Sequence, residues 1–245
     1  MSKNSIIGII DGDILIYRAC HKALKENLDV TSVFDDLYED LIDQMACTKY
    51  SLHISGTGNF RKKLKQGFTK YKGKRKSKPA NYFFLRDYIL KNYDVITAAT
   101  YEADDTASIE ATKYLRNNQW FMLGTVDKDW IMIGGMMYNM QYQSLKVYTL
   151  AQGAEFFHKQ LITGDSVDNI PGIEGMGPKK AEKLLKGKNL KEQFEAVIKA
   201  YKKHYPKDYV ERLNAMGVLL YLVKDYDDPL WNIEFWKEYL DGLKW

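Results

Sequence analysis

The chain has 245 residues, 45% of them apolar, enough for one large domain or for a core with a smaller appendage. No stretch approaches the roughly 18 uncharged apolar residues of a membrane span, and Cys20 and Cys47 lie far apart without the paired spacing of a zinc site or a disulfide framework, so a soluble cytosolic protein is expected. The formal net charge of +4 is too small to name a polyanionic partner, and the distribution of charge carries the information instead.

In chain order, short apolar runs at 6–10, 51–54, 95–98 and 120–124 read as buried strands, and amphipathic stretches at 32–45, 81–92 and 103–116 read as helices. Their alternation predicts an α/β fold with a mostly parallel central sheet flanked by helices. From about residue 150 the strand-like runs vanish, and 151–161, 178–185, 190–203 and 209–223 read as helices. Trp231, Trp236, Tyr239 and Trp245 are expected to pack the tail onto the body. The predicted division is a core over 1–150, including a basic segment over 60–92, and a helical region over 151–245.

In an open parallel sheet, ligands bind beyond the carboxyl ends of the strands. Acids gather there. Asp11 ends the first run, Asp127 and Asp129 follow the run at 120–124, Glu102, Asp104 and Asp105 open the helix at 103–116, and Asp165 and Asp168 form a fourth group. Acids in a first helical turn also complement the helix dipole, so Glu102 or Asp104 alone is well explained as a cap. Four groups at separate element ends ask for more, because neighbouring carboxylates repel unless a cation holds them. Oxygen-only ligands select a hard ion, Mg²⁺ with Mn²⁺ as a substitute, and more acids than one octahedral ion can use point to two ions. His21, His53, His158 and His204 are read as packing or surface residues.

The segment 60–78 is the densest positive charge, with Phe60, Phe68 and Tyr71 among Arg61, Lys62, Lys63, Lys65, Lys70, Lys72, Lys74, Arg75, Lys76 and Lys78. Interleaved aromatics suit phosphate contact combined with base stacking. After Asp168, Gly172, Gly175 and Gly177 permit close backbone approach to a phosphate. Pro178 then starts a helix whose free N–H groups face an anion, with Lys179 and Lys180 adding charge.

The stretches Asp11-Gly12-Asp13, Phe60-Arg61 with Tyr71-Lys72 and Arg75, Tyr101 through Asp105, Thr125 through Asp129 and Gly164 through Ala181 together resemble the five-prime nuclease, or flap endonuclease, family, particularly its stand-alone phage members. The resemblance implies a PIN-like (resolvase-like) nuclease core, a gateway or arch, and a helix-three-turn-helix over 161–186. It implies Mg²⁺-dependent cleavage of DNA from 5′ ends and at flaps or duplex–single-strand junctions, and of RNA paired to DNA. By carry-over, Asp11, Glu102 and Asp104, with Asp105 near them, hold a first ion, and Asp127, Asp129, Asp165 and Asp168 hold or orient a second. Lys72 and Arg75 act on the scissile phosphate, and Arg61, Tyr71 and the glycine-rich loop contact nucleic acid. The chain departs from the pattern at one point: the second strand normally ends in an aspartate, and 52–59 supplies none. Asp13 is the first substitute to consider and Ser55 a weaker one. A PIN-like ribonuclease and a catalytically weakened DNA-structure-binding protein are the alternative classes.

Overall fold

The computed structural model describes residues 5–64, 68–74 and 77–243; Arg75 and Trp245, both singled out above, lie outside the described residues. In chain order the elements are β1 (Ile7–Asp11), α1 (Gly12–Glu26), α2 (Val30–Met45), β2 (Lys49–His53), α3 (Phe60–Lys63), α4 (Tyr82–Asn92), β3 (Val95–Ile96), α5 (Ala103–Arg116), β4 (Phe121–Thr125), a 3-10 helix (Lys128–Ile133), β5 (Gly135–Asn139), β6 (Ser144–Tyr148), α6 (Leu150–Thr163), α7 (Pro178–Leu185), α8 (Leu190–His204), α9 (Tyr209–Leu220) and α10 (Ile233–Gly242). They form two compact units, one of Met1–Asn59, Lys76–Tyr148 and Val223–Tyr226, the other of Phe60–Arg75, Thr149–Leu222 and Asp227–Trp245.

The first unit is built on a six-stranded sheet in the order β3-β2-β1-β4-β5-β6, parallel except for the β5–β6 hairpin. Side chains alternate across a strand, and here both faces are covered. Ile10 and Leu52 join Leu15, Phe34, Leu85 and Ile89 in the core under α1, α2 and α4. Ser51 and His53 point the other way and meet α5. Double coverage is why β1 is buried along its whole length and reads as an unbroken apolar run. The chain returns here late: Val223 N–H donates to Asp105 Oδ1 at 3.3 Å, Lys224 Nζ donates to the Met132 carbonyl at 3.0 Å, and Arg116 pairs with Asp225 at 2.8 Å.

The second unit is helical. It differs from the expected boundary at 150 because it also takes residues 60–75, leaving α4 with the sheet. Arg61 explains the difference: it is buried, and its guanidinium donates to the Val218 and Tyr221 carbonyls at the end of α9, at 3.2 and 2.5 Å. The centre of the unit is an aromatic cluster of Phe157, Phe194, Trp231 and Trp236 around the fully buried His158. His158 Nε2 accepts from Trp236 Nε1 at 2.8 Å, which leaves the proton on Nδ1, facing Gln193 Oε1 at 3.3 Å. Burial pulls its pKa from 6.5 down to about 4. Below pH 6.5 the unfolded chain takes a proton that the fold refuses. Stability contributed by neutral His158 is therefore complete above that pH and is lost as pH falls toward 4, by roughly 3 kcal/mol. Unfolding followed by tryptophan fluorescence at pH 7 and pH 4.5 should show that loss in the parent, and His158→Gln, which still offers Trp236 an acceptor, should show a smaller one; equal losses would place the acid sensitivity elsewhere.

Candidate active site

Two neighbouring parallel strands, β1 and β4, set Asp11 and Asp127 of the first unit. Asp11 is the last residue of β1 and the N-cap of α1, with Oδ1 accepting from Ile14 N–H at 3.2 Å. Its Oδ2 accepts from Thr125 Oγ1 at 2.9 Å, and the same hydroxyl accepts from Asp127 N–H at 3.0 Å. Thr125, at the end of β4, thus couples the two strand-end acids. It is absent from the site residues expected from the sequence, although a Thr-x-Asp at a strand end is the signal that marks it. Asp127 caps the 3-10 helix by accepting from Asp129 N–H at 2.9 Å, and Asp129 pairs with Lys128 at 3.2 Å.

The α5 acids divide. Asp104 Oδ1 accepts from the indole of buried Trp130 at 2.7 Å, which fixes its rotamer against the 3-10 helix. Asp105 is fully buried and turns inward: its two oxygens accept Glu102 N–H at 3.2 Å and Val223 N–H at 3.3 Å. It holds the start of α5 to the returning chain. Beneath lies a polar network with His53 Nε2 on Glu110 Oε2 at 2.7 Å, His53 Nδ1 on Thr106 Oγ1 at 2.9 Å, and Ser51 and Tyr114 hydroxyls donating to Glu110. These bonds pin α5 to β2.

Asp11 feels its neighbours. Burial first, then the charges of Asp13 and Asp127, push its carboxyl up to about 8, against the opposing hydrogen bonds from Thr125 and Ile14. The donor set is all oxygen, as a hard divalent cation requires, and a cation is what relieves a buried, like-charged set. Among the described residues, no three His, Cys, Asp or Glu side chains already stand together at coordination distance.

In the second unit, Asp165 Oδ1 accepts from Val167 and Asp168 N–H groups at 2.8 and 3.3 Å, and Asp165 exchanges backbone hydrogen bonds with Ile170. The basic segment docks on this loop. Lys72 N–H donates to the Asp168 carbonyl at 2.9 Å, Lys72 Nζ pairs with Asp168 Oδ2 at 3.5 Å, and Asn169 reaches the Lys70 carbonyl at 3.0 Å. Lys72 is therefore held against Asp168 with its side chain largely covered. Tyr71, Arg61, Lys62, Lys70 and Gly73 line a cleft of about 440 Å³. Arg61, expected on the nucleic-acid surface, has its guanidinium turned into the protein, because the end of α9 presents carbonyls that a cation satisfies. Phe68 stacks on Arg212 at 4.5 Å, and Lys78, in the first unit, lies over the Tyr82 ring at 3.9 Å.

The loop glycines also separate. Gly172, at φ +63°, would place a Cβ 2.3 Å from Gly164 N, so it closes the turn. Gly175 and Gly177 face open space, Gly177 is the N-cap of α7 with Pro178 behind it, and Lys180 Nζ donates to the Gly175 carbonyl at 2.8 Å. Lys179 is exposed at the same helix start.

A mostly parallel sheet with acids at its strand ends, joined to a helical unit with a glycine-rich helix entry, defines a PIN-like α/β architecture. Comparisons with known proteins agree. The flap endonuclease of bacteriophage T5, solved with DNA and metal ions, matches 96% of this chain and 98% of its own at TM-score 0.57 and 18% identity, and the catalytic core of Rad2 in complex with DNA substrate matches 97% and 86% at 0.53 and 12%. In sequence, flap endonuclease Xni of Shewanella oneidensis is 28% identical over 200 residues, 73% of each chain. A 5′-3′ exonuclease of Aquifex aeolicus is 27% identical over 139 residues, and the match spans about half of its length, 48%. No protein-family model matches. In sequence and in fold the chain is similar to five-prime nucleases. Among the described residues, no helix is long and apolar enough to cross a membrane.

Proposed function

We propose that this protein is a divalent-cation-dependent nuclease that hydrolyses DNA phosphodiesters at 5′ ends and at single-stranded 5′ flaps. The observation that carries the reading is the coupling of buried Asp11 to Asp127 through Thr125 at the ends of neighbouring strands; the names of the relatives support it. Asp11, Glu102 and Asp104, with Asp127 and Asp129, are the residues that would hold Mg²⁺, or Mn²⁺ in its place. When bound, such ions supply Lewis-acid chemistry, acidifying a water and neutralising charge on phosphate oxygens. The part implied for Asp165 and Asp168 in a second ion belongs to the same proposal and rests on sequence alone.

The chain's own residues do the rest. Trp130 and Thr125 keep Asp104 and Asp11 in single rotamers, so the carboxylates are arranged before substrate arrives. Asp105 holds the helix that carries Glu102 and Asp104. In the second unit, Lys62, Lys70 and Tyr71 offer charge and a ring to a phosphate backbone, and the open backbone at Gly175 and Gly177 admits close approach of a duplex phosphate.

The test is a 5′-labelled duplex with a single-stranded flap, incubated with Mg²⁺ or with chelator, beside the same substrate carrying RNA in the labelled strand. Cleavage that requires Mg²⁺ supports the reading, and duplex binding without cleavage in either Mg²⁺ or Mn²⁺ overturns it. Gly177→Val, whose added Cβ has nothing within 4 Å, should melt with the parent yet bind duplex at least about tenfold more weakly, roughly 1.4 kcal/mol. Unchanged duplex affinity would remove this loop from the substrate surface.

A further inference from the structure

Gly12 stands between two acids where β1 passes into α1. A Cβ at Gly12 would lie 2.7 Å from the His53 carbonyl oxygen and 2.8 Å from Ile54 Cγ1, so the first turn of α1 presses directly on the carboxyl end of β2. That approach brings Asp13 Oδ1 to the Ser55 N–H, which donates to it at 3.3 Å. Ser55 is engaged on its other sides as well: its Oγ accepts from Ala103 N–H at 3.0 Å and its carbonyl from Arg86 at 3.1 Å. Ala103 lies between Glu102 and Asp104. One serine thus ties Asp13 to the first turn of α5 and its acids.

β2 itself ends Leu52-His53, followed by Ile54 and Ser55, with no carboxylate of its own. The acid that sits over this strand end is delivered from α1. An acid in a first helical turn is accounted for by the helix dipole, but the dipole does not account for a side chain turned across to β2. Asp13 is only partly covered, so an ion can reach it.

We propose that Asp13 is a ligand of the same divalent cation as Asp11, serving the end of β2 that carries no acid. The inference rests on the metal-dependent reading above and names a ligand within it. Asp11, Asp13, Glu102 and Asp104 would then hold the ion together, the first from the end of β1, the second from the first turn of α1 and the last two from the start of α5.

Binding of Mn²⁺, followed by the paramagnetic resonance of the free ion, tests this without any cleavage assay. Asp13→Asn keeps an oxygen for Ser55 N–H and loses only the charge, so in chelator it should melt no lower than the parent; Asp13→Ser, read the same way, guards against an Asn-specific effect. Both should bind Mn²⁺ at least about tenfold more weakly than the parent. Adding Ser55→Asp to Asp13→Asn returns a carboxylate to the end of β2, still able to accept from Ala103 N–H, and should recover most of the affinity. A residue that merely positions α1 would not be rescued from β2. Affinity within about twofold of the parent for both single variants, or no recovery in the double variant, overturns the inference while leaving the nuclease reading in place. A parent that takes up no Mn²⁺ overturns both.

Discussion

Asp11→Asn should abolish cleavage, by about a thousandfold or more, and at the same time raise the stability of the metal-free protein. The catalytic loss follows from removing the charge of the most buried acid in the set; a thousandfold is roughly 4 kcal/mol on the barrier. The gain in stability follows from the same burial. Asp11 is 2% exposed and crowded by Asp13 and Asp127. An asparagine there still accepts from Ile14 N–H, and the Thr125 hydroxyl turns from donor to acceptor. What disappears is the cost of burying a carboxyl group beside two other acids, which the fold meets by holding a proton that the unfolded chain releases. A site that opposes its own fold is the pattern of a centre kept for function.

The pH dependence gives the sign. Folding lifts the Asp11 carboxyl from 3.8 to about 8, so between these values the fold holds a proton that the unfolded chain has released. Stability from this group is therefore greatest below pH 4, declines as pH rises to about 8, and is level beyond, by an amount on the order of a few kcal/mol. Melting curves in chelator from pH 5 to pH 9 should fall less steeply for Asp11→Asn than for the parent. Parallel curves, or a variant that cleaves within tenfold of the parent, would remove Asp11 from the centre.

Much of this centre is legible in the amino-acid sequence. Buried strands such as β1 and β4 are apolar runs because both faces are covered, and the residue that ends such a run marks a strand end; Asp11 and Asp127 stand out for that reason. α1 does not, because it begins on the residue after β1 with no linker, so Gly12-Asp13 reads as a turn. The β5–β6 hairpin is equally hidden, because β6 exposes Leu145, Lys146 and Val147 and shows no buried face. Contacts across long sequence separations leave no local trace: Trp130 on Asp104, Val223 on Asp105, Ser55 on Asp13. Charge is the least legible quantity. The run at 60–78 reads as one cationic surface, yet Arg61 faces inward, Lys72 is held by Asp168 and Lys78 lies on Tyr82. Composition records that a charge is present and does not record where it points.

Arg61→Ala is the variant that separates those meanings, and its expected result is a destabilised protein, by on the order of 4 kcal/mol. Arg61 is 3% exposed, and its guanidinium donates to two carbonyls at the end of α9 and stacks at 4.5 Å on Phe60. Truncation strands those buried acceptors, each costing about 1 to 3 kcal/mol, and opens a void where a long side chain packed. Arg61→Lys should recover little, since a single ammonium does not reproduce the planar fork that serves Val218 and Tyr221 together. The contrast is Lys62→Ala, an exposed neighbour on the same cleft. That substitution should leave the melting temperature unchanged and weaken DNA binding, with a salt dependence reduced by about one phosphate contact. If Arg61→Ala instead melted with the parent and showed the weaker, less salt-dependent binding, the guanidinium would be a phosphate ligand after all, and the contact of α3 with the end of α9 would need another anchor.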